Sequence, residues 1–179
     1  MPHFSTAAGF EQHYVDEGSS DGEALVLLHG EPTWGYLYRN MIPGLAKKYR
    51  VIVPDHMGFG KSATPQDREY TLRSHVENLE SLVDELNLTD ITFVGQDWGG
   101  PITGAFTARN PEKVRRLFLM NTVLGYGGGQ ASGGKTPWFQ WIEKHANNGT
   151  LEGIFLSNPA LSAKIAGRVA PGSVGELLH

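Results

Sequence analysis

The chain has 179 residues, of which 40% are hydrophobic and 19% charged, with a formal net charge of −4. That composition supports a packed core, argues against a disordered chain and leaves no electrostatic footprint for a nucleic acid or an anionic membrane. The absence of cysteine excludes disulfides and thiolate metal sites, and no metal or cofactor is expected from the remaining residues.

The length suits one domain, or one domain with part of another. No apolar run approaches the ~20 residues of a membrane span. The opening Met1-Pro2-His3-Phe4-Ser5 lacks the charged and apolar regions of a secretory leader, so a cytoplasmic protein is expected.

Residues 3–18 read as a two-stranded start, with Phe10, Tyr14 and Val15 suited to a strand and Glu17 to Gly22 forming a turn cluster. Ala24-Leu25-Val26-Leu27-Leu28 is a continuous apolar run, the signature of a central strand covered on both faces. It leads into His29-Gly30-Glu31-Pro32-Thr33-Trp34, where Gly30 permits a tight turn. His29 is expected to be a structural histidine bonded to nearby backbone, and Trp34 a packing residue. Tyr36 to Lys48 has helical spacing through Leu37, Met41 and Leu45, broken or kinked at Pro43-Gly44. Arg50 to Val53 is the next strand. The loop Pro54 to Ser62 offers turn formers and no obvious chemistry, and His56 is read as a loop histidine rather than a base.

Thr71 is placed to cap a helix reaching about Asn87, with Leu72, Val76, Leu79, Leu82, Val83 and Leu86 as its apolar stripe. A strand at Ile91-Thr92-Phe93-Val94 follows, then Gly95-Gln96-Asp97-Trp98-Gly99-Gly100, then a helix-like stretch from Ile102 to Arg109 that Asn110-Pro111 stops. Leu117 to Asn121 reads as another buried strand. The alternation predicts an α/β fold with a mostly parallel sheet. At Gly125 the composition changes: Gly125, Gly127, Gly128, Gly129, Gly133 and Gly134 form a linker-like segment. Helix-like pieces then run over 137–146, 151–156, 159–165 and 174–178. The expected organisation is a core over 1–122 and part of a helical cap over 123–179.

The stretch from Gly95 to Gly100 organises the rest. Strand, sharp turn with small residues on both sides of one reactive side chain, then helix is the layout of a nucleophile elbow. The usual pattern is G-x-S-x-G, but the central residue here is Asp97. A serine needs a base to remove its proton, whereas an ionised carboxylate does not. An aspartate elbow therefore points to displacement at an alkyl carbon, with formation of an ester to the enzyme. The plainer alternative is a glycine-rich loop with an aspartate capping a helix.

Taken together, His29 to Trp34, Tyr36-Leu37-Tyr38-Arg39, Gly58-Phe59-Gly60-Lys61-Ser62 and Gln96 to Gly100 resemble the haloalkane dehalogenases of the α/β-hydrolase superfamily. The resemblance runs over roughly residues 10 to 122 and fades in the cap. It implies that Asp97 attacks the carbon bearing the halogen and displaces halide, after which a histidine-activated water hydrolyses the ester. It implies an oxyanion hole from the backbone N–H groups of Glu31 and Trp98. It also implies that the indole N–H of Trp98 binds the leaving halide. One subfamily takes the second halide donor from an Asn directly after His-Gly. This chain has Glu31 there, which matches the subfamily that uses a cap tryptophan, and Trp141 is the candidate, with Trp138 close behind. The alternative for either is an aromatic on the buried face of a cap helix. Two indole donors suit a halide leaving in an apolar pocket. The implied partners are a small halogenated alkane, water and halide.

The family's base is a histidine far downstream and its acid an Asp or Glu after the seventh or sixth strand. Asn121 stands after the sixth strand and cannot serve as that acid, and neither His145 nor His179 matches the base. The chain is therefore expected to be an amino-terminal fragment of a longer protein, able to be alkylated on Asp97 and then to stall. Two rivals remain. An epoxide hydrolase shares the elbow and loop but typically uses two cap tyrosines, where this chain offers Tyr126. A non-catalytic protein of the same fold would lack the downstream base and acid.

Overall fold

The computed structural model describes residues 3–122 and 137–148. The chain divides into two compact units, Met1–Tyr126 and Gly127–His179.

The described residues of the first unit form six strands: β1 (His3–Ser5), β2 (Gln12–Glu17), β3 (Glu23–Leu28), β4 (Tyr49–Pro54), β5 (Ile91–Gln96) and β6 (Val114–Met120). They form one sheet in the order β1-β2-β4-β3-β5-β6. β2 pairs antiparallel with β1 and β4, while β4, β3, β5 and β6 run parallel. β3, the strand expected to be central, is central.

β3 shows why a continuous apolar run is needed there. Its residues alternate between two cores, as a period of two requires. Ala24, Val26 and Leu28 join Ile52 and Phe93 on the face covered by helix α2 (Leu72–Glu85) and helix α3 (Gly99–Arg109). Leu25 and Leu27 join Val51, Val53 and Val94 on the opposite face, where Tyr38 is buried. The Tyr38 hydroxyl donates to the Leu28 carbonyl at 2.8 Å, so its polar tip is satisfied at the end of the strand that leads to the His29 loop.

α2 begins as the sequence suggests. Thr71 Oγ1 accepts from the Ser74 N–H at 3.1 Å, and Ser74 Oγ accepts from the Thr71 N–H at 3.0 Å, a reciprocal capping box. Its stripe of Val76, Leu79, Leu82 and Val83 is buried. The α2 end at Glu85 is two residues short of the expected one.

Two expectations are corrected. The segment from Tyr36 to Lys48 is not one kinked helix. It forms a 3₁₀ turn at Gly35–Tyr38 and a four-residue helix, α1 (Ile42–Leu45), with Pro43 and Gly44 inside α1 and the break at residues 39–41. Pro43 sits in the first turn, where its missing N–H costs nothing. β6 is not a buried strand. It is last in the strand order, and Phe118 and Leu119 are exposed at 55% and 38%.

In the second unit, helix α4 (Pro137–Asn147) matches the first helix-like piece. The glycine-rich linker, the pieces over 151–156, 159–165 and 174–178, and His179 lie outside the described residues. No helix among the described residues is long and apolar enough to cross a membrane.

Candidate active site

The carboxyl ends of β3, β4 and β5 bring three loops together. β5 delivers Asp97 in the left-handed region, at φ 51°. Aspartate tolerates that region better than most residues, and Asn87, Asp90 and Asn121 adopt it as well. The turn is locked from within: the Asp97 carbonyl accepts from the Gly100 N–H at 3.0 Å and from the Thr122 hydroxyl. The small residues are required by close approach. A Cβ on Gly99 would run into the Leu28 carbonyl, and one on Gly30 into the Asp97 side chain itself.

Asp97 is half-buried. Its Oδ1 accepts the Glu31 N–H at 3.0 Å. The expected oxyanion donor on the β3 loop is thus aimed at the Asp97 carboxylate. Trp98 stands at the N-terminal cap of α3, where a backbone N–H has no carbonyl of its own helix to bond. The Trp98 side chain is 44% exposed. It borders a cleft of about 350 Å³ whose wall includes Glu31, His56, Phe59, Tyr70, His75 and Ile102. The cleft is mainly apolar, which suits an uncharged organic substrate.

Three histidines of the first unit, His29, His56 and His75, pack against one another beside these loops. His29 is fully buried, with Nδ1 donating to the Gly30 carbonyl at 3.0 Å and Nε2 accepting the His56 N–H at 3.0 Å. A carbonyl can only accept, so the tautomer of His29 is set. His56 Nε2 in turn donates to the His29 carbonyl at 2.9 Å. The His29 and His56 rings lie 4.2 Å apart, and His75 stacks edge-on against His56 at 5.6 Å. Burial pushes all three imidazoles below their ordinary range, toward the neutral form. Trp34 stacks on Tyr36 at 5.7 Å and is half-buried.

Sequence reasoning missed Asp55. This carboxylate is fully buried. Its Oδ1 accepts the Gly35 N–H at 2.8 Å, and its Oδ2 accepts the Lys61 N–H and His13 Nδ1, each at 2.9 Å. Burial alone would raise its pKa, but the hydrogen bonds from His13, Lys61 and Gly35 outweigh it and hold the carboxyl below the usual range. The loop read as turn formers is therefore a bonded hub. The signal was an acidic residue directly after a buried apolar strand, a charge that can stay inside only if it is satisfied.

Trp141 lies on α4 in the second unit, half-buried, its ring 4.6 Å from that of His145. Trp138 is on the same helix. Among the described residues no group of three or more His, Asp or Glu side chains is arranged to hold a metal ion.

Residues 23–146 match the family model for the alpha/beta hydrolase fold. A haloalkane dehalogenase from Psychrobacter cryohalolentis is 45% identical over 134 residues, covering 74% of this chain and 44% of the relative. A cis-3-alkyl-4-alkyloxetan-2-one decarboxylase from Shewanella oneidensis is 43% identical over 123 residues, covering 67% of this chain and 38% of that protein. The chain thus spans less than half the length of these curated relatives. Among solved structures, the haloalkane dehalogenase DpaA from Paraglaciecola agarilytica NO2 superposes with a TM-score of 0.77 at 31% identity, over 99% of this chain and 58% of that one. The epoxide hydrolase CorEH superposes with a TM-score of 0.70 at 31% identity, over 93% and 56%.

Proposed function

The chain belongs to the α/β-hydrolase fold family, and on that premise we propose that it carries the nucleophilic half of a hydrolytic dehalogenase acting on small haloalkanes. The observation that carries this reading is the hydrogen bond from the Glu31 N–H to Asp97 Oδ1. It holds one carboxylate oxygen and leaves Oδ2 to attack. In the first step the Oδ2–carbon bond forms as the carbon–halogen bond breaks, and halide leaves with the bonding pair. The departing halide accepts the indole N–H of Trp98, and the resemblance names Trp141 as the candidate second donor. In the second step a base takes one proton from water as the water oxygen bonds to the ester carbon of Asp97. The charge then gathers on Oδ1, where the N–H groups of Glu31 and Trp98 stabilise it, until the bond from that carbon to Oδ2 breaks and the alkyl group leaves with Oδ2 as the alcohol, taking up the proton. Water activation is assigned to no residue of this chain. A small neutral substrate, no nucleic-acid or membrane partner, no cofactor and a cytoplasmic setting complete the reading.

A second reading shares the first step. Relatives named as oxetan-2-one decarboxylases, at 43% and 44% identity, support a strained cyclic ester as the electrophile. The same carboxylate would open the ring by displacing its ring oxygen at carbon. An epoxide is the third electrophile of this kind.

Offering the chain 1-bromobutane, styrene oxide and a cis-3,4-dialkyloxetan-2-one side by side separates these. The reading predicts bromide release and a covalent adduct with the first, in preference to the other two. Carbon dioxide release from the oxetanone without bromide release from the bromoalkane would favour the second reading.

A further inference from the structure

We infer that Asp55 and His56, two consecutive residues after β4, form a clamp that holds both ends of the oxyanion loop and so positions the Glu31 N–H on Asp97. The inference rests on the reading of Asp97 as the attacking carboxylate and assigns a task to residues that this chemistry does not touch.

The loop runs from His29 to Gly35. At its start His56 grips His29 twice: the His56 N–H donates to His29 Nε2 at 3.0 Å, and His56 Nε2 donates to the His29 carbonyl at 2.9 Å. His29 passes the constraint on, because its Nδ1 donates to the Gly30 carbonyl. At the loop's end Asp55 Oδ1 accepts the Gly35 N–H at 2.8 Å. Between these points the loop is stiffened by Thr33, whose N–H and hydroxyl both donate to the Gly30 carbonyl at 2.9 Å. Glu31 sits in the span so held. It is exposed, so packing does not fix its backbone, and the clamp at the two ends is what does.

The clamp is itself anchored. Asp55 is tied to β2 by the Asp55 N–H donating to the His13 carbonyl at 2.9 Å and by His13 Nδ1 on its carboxylate, and Ser62 Oγ donates to the Asp55 carbonyl at 2.8 Å. These groups are buried: Asp55 and His29 fully, His13 and His56 nearly so. Buried hydrogen bonds of this kind resist exchange with water and rigidify what they connect. The Glu31 N–H holds Oδ1 and so aims Oδ2, and an attacking atom is effective in proportion to how well it is oriented before the reaction. Asp55 and His56 are thus positioning residues, not catalytic ones.

The test uses the 179-residue chain and 1-bromobutane, reading the rate of alkylation of Asp97 by intact mass. His56→Phe keeps a ring between those of His29 and His75 but removes the donor to the His29 carbonyl. The alkylation rate constant is expected to fall about tenfold with the half-saturating concentration held within about twofold, the signature of a carboxylate no longer held in line for attack rather than of weaker substrate binding. Amide hydrogen exchange should quicken over residues 29–35 and not over β5. His56→Gln, whose side-chain amide can donate from nearly the same place, should restore most of the rate. An unchanged rate constant in a folded His56→Phe chain would overturn the inference, as would failure of His56→Gln to recover any of the loss.

A second measurement needs no substitution. In the parent chain the amides of Gly35 and His56 should exchange with the slow core of the sheet. Exchange as fast as that of the exposed residues 66–70 would overturn the clamp. If the parent chain is not alkylated at all, the reading of Asp97 fails, and the exchange data still decide the clamp.

Discussion

At the scale of single residues, the site depends on side chains that burial keeps in one protonation state. His29, His56 and His75 are all held below their ordinary value of 6.5, with burial the largest cause in each. In the unfolded chain they regain that value, so as pH falls through about 6.5 the unfolded state takes up protons that the folded state refuses. Their contribution is complete above that pH and is lost as pH falls toward the lower folded values. Asp55 behaves in the same sense at more acid pH: its depressed carboxyl stabilises the fold above the ordinary carboxylate range and loses that contribution below it. The thermal midpoint should therefore fall steadily between about pH 7.5 and about pH 5, before most carboxylates titrate. A midpoint flat across that interval, followed by differential scanning calorimetry, would contradict the buried neutral imidazoles.

His29 was legible in the sequence because a histidine flanked by Leu28 and Gly30 at a strand end has backbone to bond and little room for other work. Asp55 was not legible as a hub. Its partners His13, Gly35 and Lys61 come from three separate segments, and no local pattern links them.

At the scale of elements, what could be read from spacing was read well, and what depended on neighbours was not. The apolar stripe of α2 and its Thr71 cap are properties of one segment: the cap formed where expected, and so did the stripe apart from Leu72, which is exposed. Replacing Thr71 by Ala removes the acceptor for the Ser74 N–H and should cost about 1 kcal/mol, which is about 2–4 °C in a chain of this size. Circular dichroism melts of the two chains would measure it. A larger loss that also abolished the buried stripe would mean that α2 is nucleated at its cap rather than held by packing. By contrast, the helical spacing of Tyr36 to Lys48 was real but not decisive. Tyr38 is drawn to Leu28 and Gly35 to Asp55, and these tertiary bonds divide the segment. The apolar residues of β6 likewise suggested burial, yet an apolar sequence does not say whether both faces of a strand are covered.

At the scale of the whole molecule, the α/β fold was legible because strands and helices alternate, and the elbow because its small residues reflect contacts that a turn of this kind must make. The family match over residues 23–146 agrees with that reading. The arrangement that matters for chemistry, one backbone N–H on Asp97 across 66 positions of sequence, was expected in outline from the loop's position. Its aim at Oδ1 came only with the fold. Trp98 at the cleft was likewise foreseen at its place in the chain, while Trp141 rests on the resemblance and on its position in α4.

The central claim is that Asp97 is a nucleophile toward carbon. The most direct measurement is to incubate the chain with 1-bromobutane, digest it and locate any added butyl group by tandem mass spectrometry, with Asp97→Asn treated in parallel. The account predicts one butyl group per chain, on Asp97, with bromide released in equal amount and no adduct in the Asp97→Asn chain. A folded chain that releases no bromide and carries no adduct, or one whose adduct lies elsewhere and survives Asp97→Asn, would contradict it.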